Sequence, residues 1–241
     1  MDRPLRVAAR FEGPPGFANG GFLAGLLAGR GPARVTIRRP VPVDADLVFD
    51  GEELREAASP GAGSAATGGG ASAAGGDASA APLATVAPLD AVDVGPPPTA
   101  SLDAAREAAA RTPLAAHHPF PGCFGCGPGH PSGLHCLAGE VGDGVWAVAW
   151  TPEETDPPFV WSALDCSSSA PVVPARGGAP HVLGRMEAAI AGTVAVGEPH
   201  VVVAWALERD GRRKLSASAL LDPRGEPVAF ARATWFALRV D

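Results

Sequence analysis

The chain has 241 residues, 46% of them hydrophobic, and a formal net charge of −7. That length suits one large domain or two small ones with a real core, and the acidic balance argues against a general nucleic-acid binder, which would show a basic face. Four cysteines in a chain this long do not make a disulfide scaffold. No apolar run reaches bilayer-spanning length, and "MDRPLRVAARFEG" lacks the apolar stretch of a signal peptide. A cytoplasmic location with no membrane partner is therefore expected.

Taken in order, "LRVAARF" and "ARVTIRRPVPVDADLVFDG" alternate as strands do. Between them "FANGGFLAGLLAG", residues 17–29, reads as a short apolar helix beginning at Asn19. Its glycines are unexpected, because each costs about 1 kcal/mol against alanine in a helix interior. From Ser59 to Ala81 the chain is almost only Gly, Ala and Ser and reads as a flexible loop inserted in a hairpin. The strand pattern resumes at "PLATVAPLDAVDV", and "SLDAAREAAAR" follows as a helix with Ser101 as N-cap. After "HHPFPGCFGCGPGHPSGLHC" come "GVWAVAWTP", a second helix in "FVWSALDCSSSAPVV", and the strands "MEAAIAGTVAV", "HVVVAWALERDG", "RRKLSASALLDPRG" and "EPVAFARATWFALRV". "RDG" and "DPRG" carry hairpin-turn residues.

The two ends of the chain are alike. "RRPVPVDADLVF" matches "AGTVAVGEPHVVV", with Val41 and Val43 falling on Val194 and Val196. "APLATVAPLD" likewise matches "EPVAFARATW". One short helix precedes the strands in each part. This is a weak internal duplication, and related halves usually pack about a pseudo-two-fold axis.

One helix followed by antiparallel strands, with "NGGFLAGLLA" on the helix and "CFGCGPGHPSGL" before the later strands, resembles the hotdog fold of the acyl-CoA thioesterase-like superfamily. "GRMEAAIAGTVAVGE" and "GRRKLSASALLDPRGEPVAFARATW" also read like that family's sheet. The resemblance covers nearly the whole chain apart from the Gly/Ala loop. It implies an α+β double hotdog, each half a curved antiparallel sheet wrapped around one central helix. Residues 1–98 form the N-terminal half, 99–133 a linker helix and C-x-x-C loop, and 134–241 the C-terminal half. Small residues on the helix would let the sheet approach closely.

In that family the helix begins with a His-Gly-Gly-like start and carries an acid about nine residues later. Asn19, Gly20 and Gly21 match the start in the first helix, with Asn in place of His, and the acid position falls on Ala28. In the second helix the acid position falls on Asp165, and the start falls on Asp156, Pro157 and Pro158. The resemblance thus implies one composite site from Asn19, Gly20, Gly21 and Asp165, and a dead mirror site. The N–H of Gly21 or Gly20 would stabilise the thioester oxyanion. Asn19 would donate a second hydrogen bond or cap the helix. Asp165 would act as general base or nucleophile.

Trp161, four residues earlier on the same helical face, would desolvate Asp165, and Ser168 and Ser169 would orient the water. Read blandly, the two serines are polar helix surface. No G-x-S-x-G surrounds any serine, so a serine hydrolase is a poor reading. Arg212, Arg213 and Lys214 would hold the phosphates of coenzyme A or else form an ordinary charged hairpin, and Arg38 and Arg39 invite the same two readings.

Cys123 and Cys126 form a C-x-x-C near His117, His118, His130, His135 and Cys136. The spacing departs from a zinc knuckle in each later gap. The expected reading is a Gly/Pro-rich loop with buried thiols, no metal and no cofactor. The function this points to is acyl-CoA thioester hydrolysis by a monomeric double hotdog or a homodimer of it. The alternative is a non-catalytic acyl-CoA binding protein. A hydratase would want a helix histidine, and none precedes Asp165.

Overall fold

Prolines and glycines decide where the strands of the first half stop. The computed structural model describes residues 2–57, 81–173 and 179–238. The Gly/Ala/Ser segment, apart from Ala81, lies outside the described residues. The run "ARVTIRRPVPVDADLVFDG" divides into β2 (Ala33–Ile37) and β3 (Leu47–Phe49). Pro40 and Pro42 lie between them and have no N–H for a ladder, and Asp44 turns the chain at φ 55°. From "LRVAARF" only the start joins a strand, β1 (Arg3–Leu5), while Ala9–Phe11 form a 3₁₀ turn. The half closes with β4 (Glu53–Glu56) and β5 (Ala84–Pro88), and α1 (Gly20–Ala28) precedes β2.

α2 (Leu102–Arg111) is capped by Ser101, whose Oγ accepts the Ala104 N–H at 3.2 Å. The second half holds β6 (Gly139–Gly142), β7 (Val145–Trp150), α3 (Pro157–Ser169), β8 (His181–Ile190), β9 (His200–Asp210), β10 (Arg213–Leu221) and β11 (Pro227–Ala237). β8 starts earlier and stops earlier than its hydrophobic run suggests. The N–H groups of Ala191 and Gly192 both turn to the Val228 carbonyl, at 2.9 Å each, and the chain leaves the sheet. In the last hairpin Asp222 Oδ1 accepts the N–H groups of Arg224 and Glu226, and Gly225 takes φ 87°.

Among the described residues the strands make one antiparallel sheet in the order β1-β3-β4-β5-β2-β8-β11-β10-β9-β7-β6. Read from the centre outward, the first half runs helix-following strand, then the fourth, third and second strands after it. β8-β11-β10-β9 repeats that order. The repeat alignment is carried by the ladders. With Val41 on Val194, Ala33 falls on Met186 and Val35 on Ala188. The central ladder pairs Ala33 with Ala188 and Val35 with Met186, as a two-fold between the halves requires. The second match places Pro88 on Ala233, and the pair Ala33–Pro88 is answered by Met186–Ala233.

α1 and α3 pack on each other and on the central strands, over one core that includes Leu23, Val35, Trp161, Leu164 and Met186. α2 covers the opposite face of the second half. Ala105 meets Ala147, Val201 and Val203 there, while the alternate residues Val148 and Val202 face the main core. No helix among the described residues is long and apolar enough to cross a membrane.

The glycines of α1 face mainly a helix. A Cβ on Gly21 would stand 2.5 Å from the Asp165 Cβ and 2.7 Å from the Trp161 carbonyl oxygen. One on Gly25 would stand 2.6 Å from the Pro157 carbonyl oxygen. Only Gly20 meets the sheet, through the Leu183 side chain at 2.8 Å. The expectation that small residues admit the sheet is therefore corrected: glycines at positions 21 and 25 admit α3. The helix is held by this burial rather than by its own propensity.

Candidate functional site

α1 starts at Gly20 because Asn19 caps it. The Asn19 Oδ1 accepts the Phe22 N–H and the Ser162 hydroxyl, each at 2.9 Å. With both acceptor directions used, the amide orientation is fixed, and Nδ2 faces the sulfurs of Cys123 at 3.5 Å and Cys166 at 3.4 Å. Asn19 is buried. Asn19→Ala is expected to lose the cap and lower stability by roughly 1 kcal/mol, within a range of about 0.5–2. A urea denaturation midpoint that does not move would refute this.

Asp165 lies in the middle of α3, buried. Its Oδ2 accepts the Gly21 N–H at 2.8 Å, so the two helices are tied at this point. Its Oδ1 is buried without a hydrogen-bond partner among the described residues. Burial pushes the carboxyl up to about 8; the Gly21 N–H opposes this, and negative charge on Cys123 adds to it.

The N–H groups at the start of α1 are therefore divided. Gly21's is taken by Asp165 and Phe22's by the cap. Among the described residues nothing accepts the Gly20 N–H. The mirror position differs in kind: α3 begins with Pro157 and Pro158, which have no N–H to offer.

A cavity of about 610 Å³ opens here, with largely apolar walls from Phe17, Leu23, Ile37, Leu183 and Phe236. Asn19, Gly20 and Asp165 border it. That volume is ordinary for a small-molecule site.

Several sequence expectations are placed differently. Trp161 is fully buried in the core and does not border the cavity, because it lies one turn back beneath Gly21. The Ser168 hydroxyl donates to the Asp165 carbonyl at 2.7 Å and accepts the Trp235 Nε1–H at 3.3 Å, so it is a helix back-bond rather than a water-orienting group. Ser169 does border the cavity, and its hydroxyl donates to the Cys166 carbonyl at 2.8 Å. Arg212 donates to the Ala237 carbonyl at 3.1 Å. Neither it nor Lys214 borders the cavity. Arg213 stands 3.5 Å from Glu208 and borders a second groove, of about 620 Å³, on the outer sheet surface.

Arg38, Arg185 and Arg232 join Arg213 around that groove. It shares Ile37, Arg38, Gly184 and Phe236 with the cavity beside Asp165. Arg185 and Arg232 escaped the sequence reading because they come from different strands, and only the sheet order sets them side by side.

The C-x-x-C loop crosses the start of α1. Phe124 N–H donates to the Glu12 carbonyl at 2.7 Å, and the Phe124 ring packs edge-on against Phe11, Phe22 and Phe159. The sulfurs of Cys123 and Cys126 are 3.7 Å apart, and those of Cys123 and Cys166 are 3.9 Å apart. Of the nearby candidates from the sequence, His118 Nε2 stands 3.2 Å from the Cys126 sulfur, while three others point elsewhere. His130 Nε2 is 2.8 Å from the Arg10 carbonyl oxygen, Cys136 is buried near the Leu134 carbonyl, and His135 is exposed. Cys166 was missed because it comes from α3, far along the chain, and local spacing holds no trace of it.

No family model matches the chain, and no curated protein matches it. Among solved structures it is similar to zebra fish thioesterase superfamily member 2, with 17% identity and a TM-score of 0.41, over 48% of this chain and 94% of that one. It is also similar to the PaaI protein of the Escherichia coli phenylacetic acid degradation operon, with 12% identity and a TM-score of 0.36, over 40% of this chain and 74% of that one. A hypothetical thioesterase from Streptococcus pneumoniae, solved with coenzyme A, gives 12% identity and a TM-score of 0.36, over 40% of this chain and 80% of that one.

Proposed function

We propose that the chain is a double hotdog that hydrolyses an acyl-CoA thioester at one composite site between its halves, residues 1–98 and 134–241. The observation that carries this reading is the buried Asp165 carboxylate of one helix, held on the first turn of the other, at the wall of an apolar cavity. The shared strand order of the two halves and their central ladder support the architecture.

In this reading the acyl group lies in the cavity with its carbonyl oxygen at the Gly20 N–H. Charge growing on that oxygen is stabilised by a donor fixed at a helix start, an effect typically worth roughly 3 kcal/mol. Asp165 Oδ1 takes a proton from water as the water oxygen bonds to the carbonyl carbon. The C–S bond then breaks, and coenzyme A leaves as the thiol carrying that proton, with the acid as the other product. Gly20 rather than Gly21 serves the oxyanion, because Gly21 is already holding the base.

The coenzyme A phosphates fit the arginines of the outer groove, Arg38, Arg185, Arg213 and Arg232, which adjoin the cavity. Of Arg212, Arg213 and Lys214, only Arg213 takes part. Arg185→Ala and Arg232→Ala are each expected to raise KM for an acyl-CoA roughly tenfold, as loss of a charge-assisted hydrogen bond does, with kcat little changed. The same variants should treat a short thioester lacking the nucleotide like the parent protein. Equal losses on both substrates would remove the groove from the reading.

Following thiol release across a panel of acyl-CoA esters tests the function as a whole. Turnover that depends on Asp165 supports it. Binding of acyl-CoA with no turnover overturns it in favour of a binding protein.

A further inference from the structure

Three cysteines from two distant parts of the chain meet beside the cavity. Cys123 and Cys126 come from the loop and Cys166 from α3, and their sulfurs all lie within 4.8 Å of one another. All three are free thiols and buried. Two of the three separations, 3.7 and 3.9 Å, match the edge of a tetrahedron of thiolates around one zinc ion, about 3.8 Å for Zn–S bonds of about 2.3 Å, and the third lies within 4.8 Å.

The surroundings are built to hold negative sulfur. The loop carrying Cys123 and Cys126 makes a tight turn closed by the Gly127 N–H on the Cys123 carbonyl at 2.7 Å. Asn19 Nδ2 faces both Cys123 and Cys166. His118 Nδ1 accepts the Phe120 N–H at 3.1 Å, so its neutral ring carries the proton on Nε2, 3.2 Å from the Cys126 sulfur. Each sulfur therefore has an N–H donor, the arrangement that orients thiolate ligands and sets their charge from a surrounding shell.

Among the described residues no lysine or arginine forms an ion pair with the adjacent Asp165.

We propose that Cys123, Cys126 and Cys166 bind one zinc ion, with a fourth ligand from the cavity that all three border. Soft thiolates select zinc over magnesium or calcium, and three protein ligands leave one position open. His118 stays outside the set as a donor to Cys126, because its Nε2 already carries a proton.

The test uses the full chain, purified under reducing conditions without chelator. Elemental analysis is expected to find about one zinc per chain. After the metal is stripped, added Co²⁺ should give thiolate charge-transfer absorption in the near ultraviolet, of the strength three thiolates provide, with the visible bands of a tetrahedral site. Cys166→Ser and Cys123→Ser should lose this binding, and Cys136→Ser, whose sulfur stands apart, should keep it. Asn19→Asp keeps the cap oxygen and turns a second oxygen onto the sulfurs, so affinity should fall roughly 10–100-fold.

The wild-type Co²⁺ spectrum decides the matter even if a serine variant fails to fold. Protein that neither carries zinc nor takes up Co²⁺ would sink the proposal. So would Co²⁺ binding unchanged in Cys166→Ser, or metal-free protein with a disulfide among the three cysteines. The readout is the metal itself, so it stands apart from the thioesterase reading.

Discussion

Asp165→Asn is expected to lower kcat for acyl-CoA hydrolysis about 10³-fold, within the 10²–10⁴ range for loss of a positioned base. The substitution keeps an oxygen for the Gly21 N–H, which now binds Oδ2 at 2.8 Å, so the link between the helices survives. It also replaces a buried carboxyl oxygen that has no partner with an amide nitrogen in the same place. Stability should therefore change little. Loss of turnover with an unchanged denaturation midpoint would separate chemistry from folding. A variant that keeps more than a tenth of the parent rate would remove Asp165 from the mechanism, and with it the thioesterase reading.

The second large effect concerns the helix pair. Gly21→Ala and Gly25→Ala are each expected to destabilise the protein by roughly 1–3 kcal/mol through overpacking. Helix propensity alone predicts the opposite sign, a gain of about 1 kcal/mol. Packing wins because the added carbon meets backbone. For Gly21 the neighbours are the Trp161 carbonyl oxygen at 2.7 Å and the Ser162 Cα at 2.8 Å, and for Gly25 they are Pro157 and Pro158. Gly20→Ala meets only side chains, chiefly Leu183, which can rotate, so its cost should be smaller. Urea midpoints for the three variants check the order. A higher midpoint for Gly21→Ala would show that α1 and α3 do not approach this closely.

Much of the sheet was legible in the sequence because strands leave a periodic record. The match of Val41 with Val194 needed only alternating apolar residues, and the central ladder keeps that register. Asp165 was singled out as the acid position of the second helix, and the structure buries it in α3 against the Gly21 N–H. The glycines of α1 were visible, but their partner was not. A glycine marks close approach without saying what approaches. The sulfur cluster was half visible. "CFGC" announces two thiols, while Cys166 belongs to a helix whose position over that loop depends on the whole fold. Of the groove's arginines, Arg38 and Arg213 were visible, while Arg185 on β8 and Arg232 on β11 were not, because only the sheet order brings them together.

The two halves share a strand order, yet one helix opens with glycines after asparagine and the other with two prolines after aspartate. When identical chains pair, every substitution arrives twice, and damage to one helix start is damage to both. Within a single chain the copies are inherited separately. Position 28 is alanine where the second helix carries Asp165, and the second helix starts with prolines that fix its first turn rigidly. On the proposed reading, covalent joining divides the labour between halves: one supplies the donor-bearing turn, the other the acid, and neither needs to be able to do both.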